Sequence, residues 1–232
     1  MINKSTNITA RSISIKRKAN SVLMSFDQIK DQFNKRTDVM RRSIKEAEDL
    51  LKEHKTSEAK DILRAQIVFL DSILDLYFHK VIEFGIECIV KEDYPYTDKL
   101  YGIKLTLRKA EYLYSLEDDD DKFSEALNNI VSDIYGYYSL VFPDKLKNVF
   151  NLLDENLFDD LAKKVYPKSK KASYDLCNFL AEFQQRRNRI AHQDDIIDNN
   201  REDIDASKVK YYLNTVIKIE TKMNEIISEK GL

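Results

Sequence analysis

The sequence lacks tryptophan and has few residues that interrupt regular structure. Its 232 residues contain four glycines and three prolines, so few positions favour tight turns. Apolar residues make up 43% of the chain and charged residues 34%, which is enough for one domain with a sizeable core. Leu, Lys, Glu, Ala and Arg, which favour helices, fill the long segments between the turn positions. The composition therefore predicts an all-α protein.

Cysteines and long hydrophobic runs are also scarce. Cys88 and Cys177 are far apart and belong to no CxxC pair, which argues against a disulfide framework or a zinc site. No run of about 18 apolar residues is present to cross a membrane, and the basic start of the chain has no apolar signal core. We therefore expect a cytoplasmic protein without a metal site and without membrane contact.

Charge is distributed unevenly along the chain. The formal net charge is −2, so the protein as a whole is not a polycation that would coat nucleic acid. Residues 1–26 carry basic side chains and no acidic ones, and two more basic stretches lie at 163–171 and 186–189. Any site for nucleic acid is therefore expected to be local.

Hydrophobic spacing predicts a long N-terminal helix. From Val22 to Leu51, apolar residues recur at intervals of three and four as one narrow stripe, which is typical of a helical hairpin or coiled coil. We predict a disordered basic segment at 1–12, a long helical arm at 13–55 and a helical bundle at 56–232. The stripe of the arm fits packing on the next helix of the same chain or the seam of a dimer.

A second helix, predicted over about 56–91, is apolar on nearly every side and is expected to be the centre of the core. Asp71, Asp75 and His79 recur every four residues on one of its faces. Buried polar side chains need partners. This face is therefore either a partly exposed stripe or a polar surface that borders a cleft.

Further helices are predicted from the turn residues and apolar spacing downstream. They cover about 97–116, 123–140, 170–193 and 206–230, with two short helices between residues 144 and 165. Pro143 is expected to end the helix that precedes it.

The most informative segment is RRNRIAH, from Arg186 to His192, at the end of the helix predicted from about residue 170. It places three guanidinium groups and one of the three histidines at a helix end. Arg187 and His192 are five residues apart, roughly 140° around an ideal helix, so they converge only if the arginine bends or the helix distorts. An arginine and a histidine together can bind and cleave a phosphodiester.

Residues 187–192, RNRIAH, resemble the RNxxAH form of the Arg-x4-6-His motif of HEPN domains, most closely in the RiboL-PSP-HEPN branch. The resemblance covers roughly residues 57–228. It implies an HEPN-like helical bundle, a two-fold dimer whose two motifs face one groove, and a metal-independent endoribonuclease without a cofactor. It also implies a role as a toxin or in antiviral defence or stress, with RNA as substrate and an antitoxin or defence-system protein as partner.

The resemblance makes Arg187 and His192 the catalytic pair, with Asn188 orienting the motif. The chemistry of RNA cleavage fits these residue types independently. An imidazole can act as base or acid near neutral pH, and a guanidinium can stabilise the charge that accumulates on the phosphate. The expected products are a 2′,3′-cyclic phosphate end and a 5′-OH end.

Other residues of the site are assigned by analogy with the family. Asp71 and Asp75 are candidates for orienting the catalytic pair. Arg186 and Arg189 are expected to contact the RNA backbone without reading its sequence, and His79 is a further candidate on the acidic face.

The competing hypothesis is a non-catalytic helical adaptor, or a module that binds RNA or a nucleotide without cleaving it. In that case Arg187 pairs with an acid in the core, and His192 only stabilises the C-terminal end of its helix. The chain also departs from some HEPN toxins, which carry, two residues after the histidine, a tyrosine that a partner antitoxin modifies. Asp194 occupies this position here, so regulation of that kind is not expected.

Overall fold

The computed structural model describes residues 24–91, 94–197 and 200–230, and this part of the chain is almost entirely helical, which confirms the all-α prediction. The predicted disordered segment 1–12 and the first part of the predicted arm, to residue 23, lie outside the described residues. The helices are α1 (Phe26–Lys52), α2 (Thr56–Val90), α3 (Asp98–Tyr101), α4 (Leu107–Tyr114), α5 (Asp120–Tyr135), α6 (Pro143–Phe150), α7 (Leu157–Val165), α8 (Ala172–Gln193) and α9 (Ala206–Lys230). A short antiparallel hairpin, β1 (Ile196–Ile197) and β2 (Asn200–Arg201), joins α8 to α9, with Ile196 opposite Arg201.

The central element is α2, because apolar side chains cover most of its surface. It packs against α1, α5, α8 and α9. Leu63, Ile67, Leu70, Leu74 and Phe78 are fully buried along it. Burying a side chain of this kind contributes about 1.5–3 kcal/mol before the loss of conformational entropy is counted. Neither α2 nor any other helix in the described part of the chain is long and apolar enough to cross a membrane.

The narrow apolar stripe of the N-terminal region packs inside this bundle. Ser25 begins α1 with a capping box, in which its hydroxyl accepts from the N–H of Gln28 and the Gln28 side chain accepts from the Ser25 N–H. Phe33, Met40 and Ile44 are at most 3% exposed, and α1 packs against α2 and α9. Of the two alternatives for the stripe, the structure shows packing within one chain.

The segment between α2 and α8 differs in detail from the predicted helices. The helix predicted at 97–116 is interrupted. Helix α3 ends at Tyr101, with Gly102 as its C-cap, and α4 begins only after Thr106, whose hydroxyl caps it. The next helix, α5, ends at Tyr135, before the predicted 140. Pro143 begins α6 and does not end α5, since proline lacks the N–H that the first turn of a helix leaves unpaired. The two short helices predicted between 144 and 165 correspond to α6 and α7.

Candidate functional site

The motif segment RNRIAH occupies the last turns of α8. This helix runs without interruption to Gln193 and is followed by Asp194, which has a left-handed φ of 47°. Because the helix is regular through the motif, Arg187 and His192 project from different sides of it. Arg187 lines one groove and His192 lines another, so the two side chains do not converge within one chain.

His192 lines an open groove of about 560 Å³, which we name the His192 groove. It lies between α8 and the start of α6. The imidazole is exposed and makes no hydrogen bond or ion pair with a described residue, so it is accessible to a ligand in the groove. The described lining residues include no carboxylate; they are Phe142, Pro143, Ala181, Gln184, Gln185, Asn188, Arg189, His192 and Gln193.

Arg187 lines a second groove of about 380 Å³ between α8, α2 and α5, which we name the Arg187 groove. Three carboxylates border it, those of Asp71, Asp75 and Glu83. In the described ranges, no group of three or more His, Cys, Asp or Glu side chains is arranged to hold a metal ion. The polar face that the sequence predicted at 71–79 therefore borders a cleft, which was one of its two alternatives.

Asp71 is the acidic residue that contacts Arg187. Its Oδ2 lies 3.1 Å from Arg187 Nε, and the Asp71 side chain is 4% exposed. Burial raises the pKa of Asp71 to about 6, although the Arg187 charge acts in the opposite direction. Asp71 Oδ1 and Arg187 Nε have no hydrogen-bond partner among the described residues, so the contact is an ion pair without an aligned hydrogen bond. Asp71 lies where a residue that orients Arg187 is expected.

Asp75 and His79 hold the segment that follows α5 and do not contact the predicted catalytic pair. Asp75 Oδ1 accepts a hydrogen bond of 2.6 Å from the N–H of Leu140. Nε2 of His79 lies 3.3 Å from the carbonyl oxygen of Tyr138, to which it can donate when it carries the proton. These contacts place Asp75 and His79 as supports of the groove wall.

Asn188 links the two grooves. Its Oδ1 accepts a hydrogen bond of 3.0 Å from Arg187 Nη1, and its side chain also lines the His192 groove. Arg187 Nη2 makes no hydrogen bond with a described residue. The guanidinium is therefore contacted at Nε and Nη1, while Nη2 stays available to a ligand.

The other two arginines of the motif segment pair with Glu202. Arg189 Nη2 donates to Glu202 Oε2 at 2.8 Å, and its side chain lines the edge of the His192 groove. Arg186 Nη1 pairs with Oε1 of the same carboxylate, and Arg186 is only 5% exposed. The predicted contact of Arg186 with RNA does not fit this position, because its guanidinium is buried and occupied by protein groups.

A buried charge cluster that the sequence analysis missed fixes the end of α8. Asp195 is fully buried, and its Oδ2 accepts from Arg64 Nε at 3.0 Å and from Arg186 Nη2 at 2.8 Å. Arg64 comes from α2, and its Nη2 also donates to the carbonyl oxygen of Glu202 at 2.8 Å. An arginine inside the most apolar helix was the signal in the sequence that could have indicated this cluster.

The backbone after α8 makes the cluster possible. Asp194 and Asp195 have φ values of 47° and 62°, in the left-handed region that aspartate adopts more readily than most residues. The Asp195 N–H donates to the Arg189 carbonyl at 3.0 Å, and the Asp195 carbonyl accepts from the Glu202 N–H at 2.8 Å. The turn thus reverses the chain directly beyond His192 and fixes where the motif ends.

Comparison with known proteins gives one match. The family model RiboL-PSP-HEPN matches residues 31–229, and neither the curated proteins nor the solved structures give a significant match. The matched range begins within α1, so it includes most of the helix that the sequence resemblance, from about residue 57, left out.

Replacing Asp195 by Asn is expected to lower the free energy of unfolding by about 3–5 kcal/mol, because it removes the negative charge between two buried guanidinium groups. Asparagine also tolerates a left-handed φ, so the backbone is not the cause of the loss. The control is Asp194→Asn, at an exposed side chain paired with Arg201, which should cost about 1 kcal/mol or less. Urea unfolding measures both variants, and equal losses would show that the buried cluster contributes nothing special.

The raised pKa of Asp71, about 6 against an ordinary 3.8, predicts a pH-dependent stability difference. The folded chain binds this proton more tightly than the unfolded chain. Its contribution to stability is therefore fully present below a pH of about 4 and is lost as the pH rises through about 6. The stability of the wild type relative to Asp71→Asn is expected to fall over this window and then to level off. Urea unfolding of both proteins at several pH values gives the difference, and a difference that increases with pH contradicts the assignment.

Proposed function

The chain belongs to the RiboL-PSP-HEPN family, and from that premise we propose that it is an endoribonuclease that works without a metal ion. In the proposed reaction the 2′-oxygen of RNA attacks the neighbouring phosphorus, and the bond from phosphorus to the 5′-oxygen breaks. A base removes the proton from the 2′-OH, and an acid gives a proton to the departing 5′-oxygen. The products are a 2′,3′-cyclic phosphate end and a 5′-OH end.

The observation that carries this proposal is the accessible imidazole of His192 in a groove whose described lining has no carboxylate. A polyanion can approach such a groove without facing like charges. Since His192 makes no hydrogen bond with a described residue, both ring nitrogens are available for proton transfer.

Arg187 is proposed to stabilise the charge on the phosphate during cleavage. Asp71 and Asn188 each hold part of its guanidinium, which leaves Nη2 for a phosphate oxygen. A guanidinium held in place loses less freedom when it binds, and this preorganisation is the role that we propose for Asp71 and Asn188.

The separation of the two grooves supports a two-fold dimer as the active form. One chain offers one histidine for both proton transfers and directs Arg187 to the other side of α8. A second copy related by a two-fold axis would bring a second motif to the same groove. We propose that the complete site consists of the motifs of both copies.

We further propose that the RNA cleavage serves a toxin or an antiviral defence system, with an antitoxin or defence protein that restrains it. Membership of the family supports this class of role.

A second candidate, the non-catalytic adaptor, is favoured by one observation. The ion pair of Arg187 with the buried Asp71 is the core contact that this hypothesis expects. The two hypotheses differ in whether His192 is needed for a chemical step.

In EDTA, the purified wild type is expected to cleave a mixture of single-stranded and structured RNA, and His192→Ala to lower the rate about 10²–10⁴-fold. Arg187→Ala should also lower the rate, because charge on the phosphate is then not stabilised. Chemical analysis of the product ends should find cyclic phosphates from the wild type. The matched control is His54→Asn, at an exposed histidine with a φ of 63° that asparagine tolerates, and it should cleave normally. Undiminished cleavage by both motif variants, or no cleavage by the wild type, overturns the nuclease proposal.

The dimeric site predicts how activity responds to inactive subunits. When wild type and His192→Ala exchange subunits at a constant total concentration, activity should fall with the square of the wild-type fraction, because the proposed site uses the histidines of both copies as base and acid and a mixed dimer is then inactive. Independent sites would give a linear decrease. Light scattering of the same mixtures reports whether the dimer itself persists, so a linear response from an intact dimer contradicts the shared site.

A further inference from the structure

A buried polar side chain in the His192 groove has a carbonyl oxygen without a hydrogen-bond partner among the described residues. Gln184 is 3% exposed, and its Oε1 makes no hydrogen bond with a described residue. A buried carbonyl oxygen without a donor is unfavourable, so such atoms in folded proteins usually have a function or a missing partner. Gln184 lines the groove, where a ligand could supply that donor after a rotation of the glutamine side chain.

Gln184 belongs to the same face of α8 as the motif. Gln184, Asn188 and His192 are spaced four residues apart along an uninterrupted helix, so they lie along one side of it. All three line the His192 groove. A ligand that extends along this face would contact the proposed catalytic imidazole at one end and the Gln184 amide two turns away.

The opposite wall of the groove is apolar and aromatic. Phe142, which directly precedes α6, is 42% exposed and lines the groove beside Pro143. The volume of about 560 Å³ lies within the range of pockets that bind small organic groups. A flat ring system that stacks on Phe142 would also bring its polar edge into the groove.

The charges around the groove favour an RNA nucleotide as the occupant. The described lining of the groove includes the basic side chains of His192 and of Arg189, which pairs with Glu202, and no carboxylate, whereas the Arg187 groove is bordered by Asp75 and Glu83. A phosphate at the His192 end of the first groove therefore meets no carboxylate of the described lining, whereas in the second groove it would lie near Asp75 and Glu83 as well as Arg187. An unpaired nucleobase offers the flat face for Phe142 and N–H donors along its edge for the amide of Gln184.

We propose that the His192 groove binds one unstacked nucleobase of RNA, which stacks on Phe142 while the amide of Gln184 reads its edge. This inference rests on the proposed function, since it gives the nuclease a preference for one base beside the cleaved bond. A glutamine amide presents an acceptor and a donor side by side, and the four bases differ in where their edges carry matching groups. Cleavage is then confined to unpaired RNA, in which a base can leave its stack.

The test measures binding of four fluorescently labelled RNA octamers, oligo(A), oligo(C), oligo(G) and oligo(U), in EDTA. The protein is full-length His192→Ala, which binds without cleaving, with and without the further change Gln184→Leu. We expect the parent to bind one octamer more tightly than the others. Gln184→Leu should weaken the binding of that octamer about tenfold or more and leave the binding of the others nearly unchanged, because the lost hydrogen bonds are specific to one base edge. Phe142→Ala should weaken all four by a similar factor, about fivefold or more, because stacking does not depend on the base.

Two further variants separate recognition from folding. Gln66→Leu makes the same substitution at a half-buried site on α2 that lines neither groove, and it should leave all four affinities unchanged. Gln184→Glu keeps the shape but replaces the amide donor with an acceptor, so it should change the base preference even if Gln184→Leu fails to fold.

Equal binding of the four octamers by the parent overturns the inference, as does a preference that persists in Gln184→Leu or Gln184→Glu. If Phe142→Ala dissociates a dimer and leaves the base preference unchanged, the surface around Phe142 is a subunit contact, and the inference is also overturned. Cleavage by the wild type is measured separately. If binding is selective and depends on Gln184 but the wild type does not cleave RNA, the proposed base site is supported and the nuclease proposal is overturned. If the wild type cleaves RNA but binding shows no such selectivity, the nuclease proposal is supported and the base site is overturned.

Discussion

The geometry of the candidate site depends on the buried carboxylate of Asp195. It lies between the guanidinium groups of Arg64 and Arg186, and thereby joins the central helix α2, the end of α8 and the turn that follows. Two buried positive charges at this distance would repel each other without it, and the cost of removing all three charges from water is offset only by their close pairing. Because the cluster fixes the last turn of α8, it also fixes the direction in which His192 projects.

The same helix end uses arginine in two different ways. Arg186 is enclosed and holds the protein together, whereas the adjacent Arg187 is 27% exposed and is held along only part of its guanidinium by Asp71 and Asn188. Neighbouring residues on a helix point about 100° apart, so one faces the core and the other a groove. Burial raises the pKa of Asp71, because the carboxylate that contacts Arg187 is poorly solvated. Such an arrangement is more typical of a functional site than of a surface ion pair.

The helical fold and the place of the motif could be predicted from the sequence, because apolar spacing and scarce turn residues are local properties. The contact between Asp71 and the motif helix could also be predicted. The spacing of polar residues placed Asp71 on one face of α2, and analogy with the family indicated the catalytic pair as its partner. The partners of Arg186 could not be predicted, because Asp195 and Glu202 come from beyond a left-handed turn, which no local pattern encodes. The interruption of the helix after Gly102 was missed for a related reason. The apolar spacing continues across this position, but the helical conformation of the backbone does not.

If Arg187 and His192 act together as proposed, the arrangement of the two grooves has a consequence for assembly. A regular helix separates residues five apart by roughly 140°, and the cluster around Asp195 prevents the end of α8 from distorting to bring Arg187 and His192 together. The pair can therefore act on one phosphate only if the long arginine side chain leaves Asp71 or if another copy of the chain supplies the missing group. Leaving Asp71 would abandon a buried carboxylate, which is costly. The second route keeps every contact of the folded chain, which is the physical reason for proposing a dimeric site.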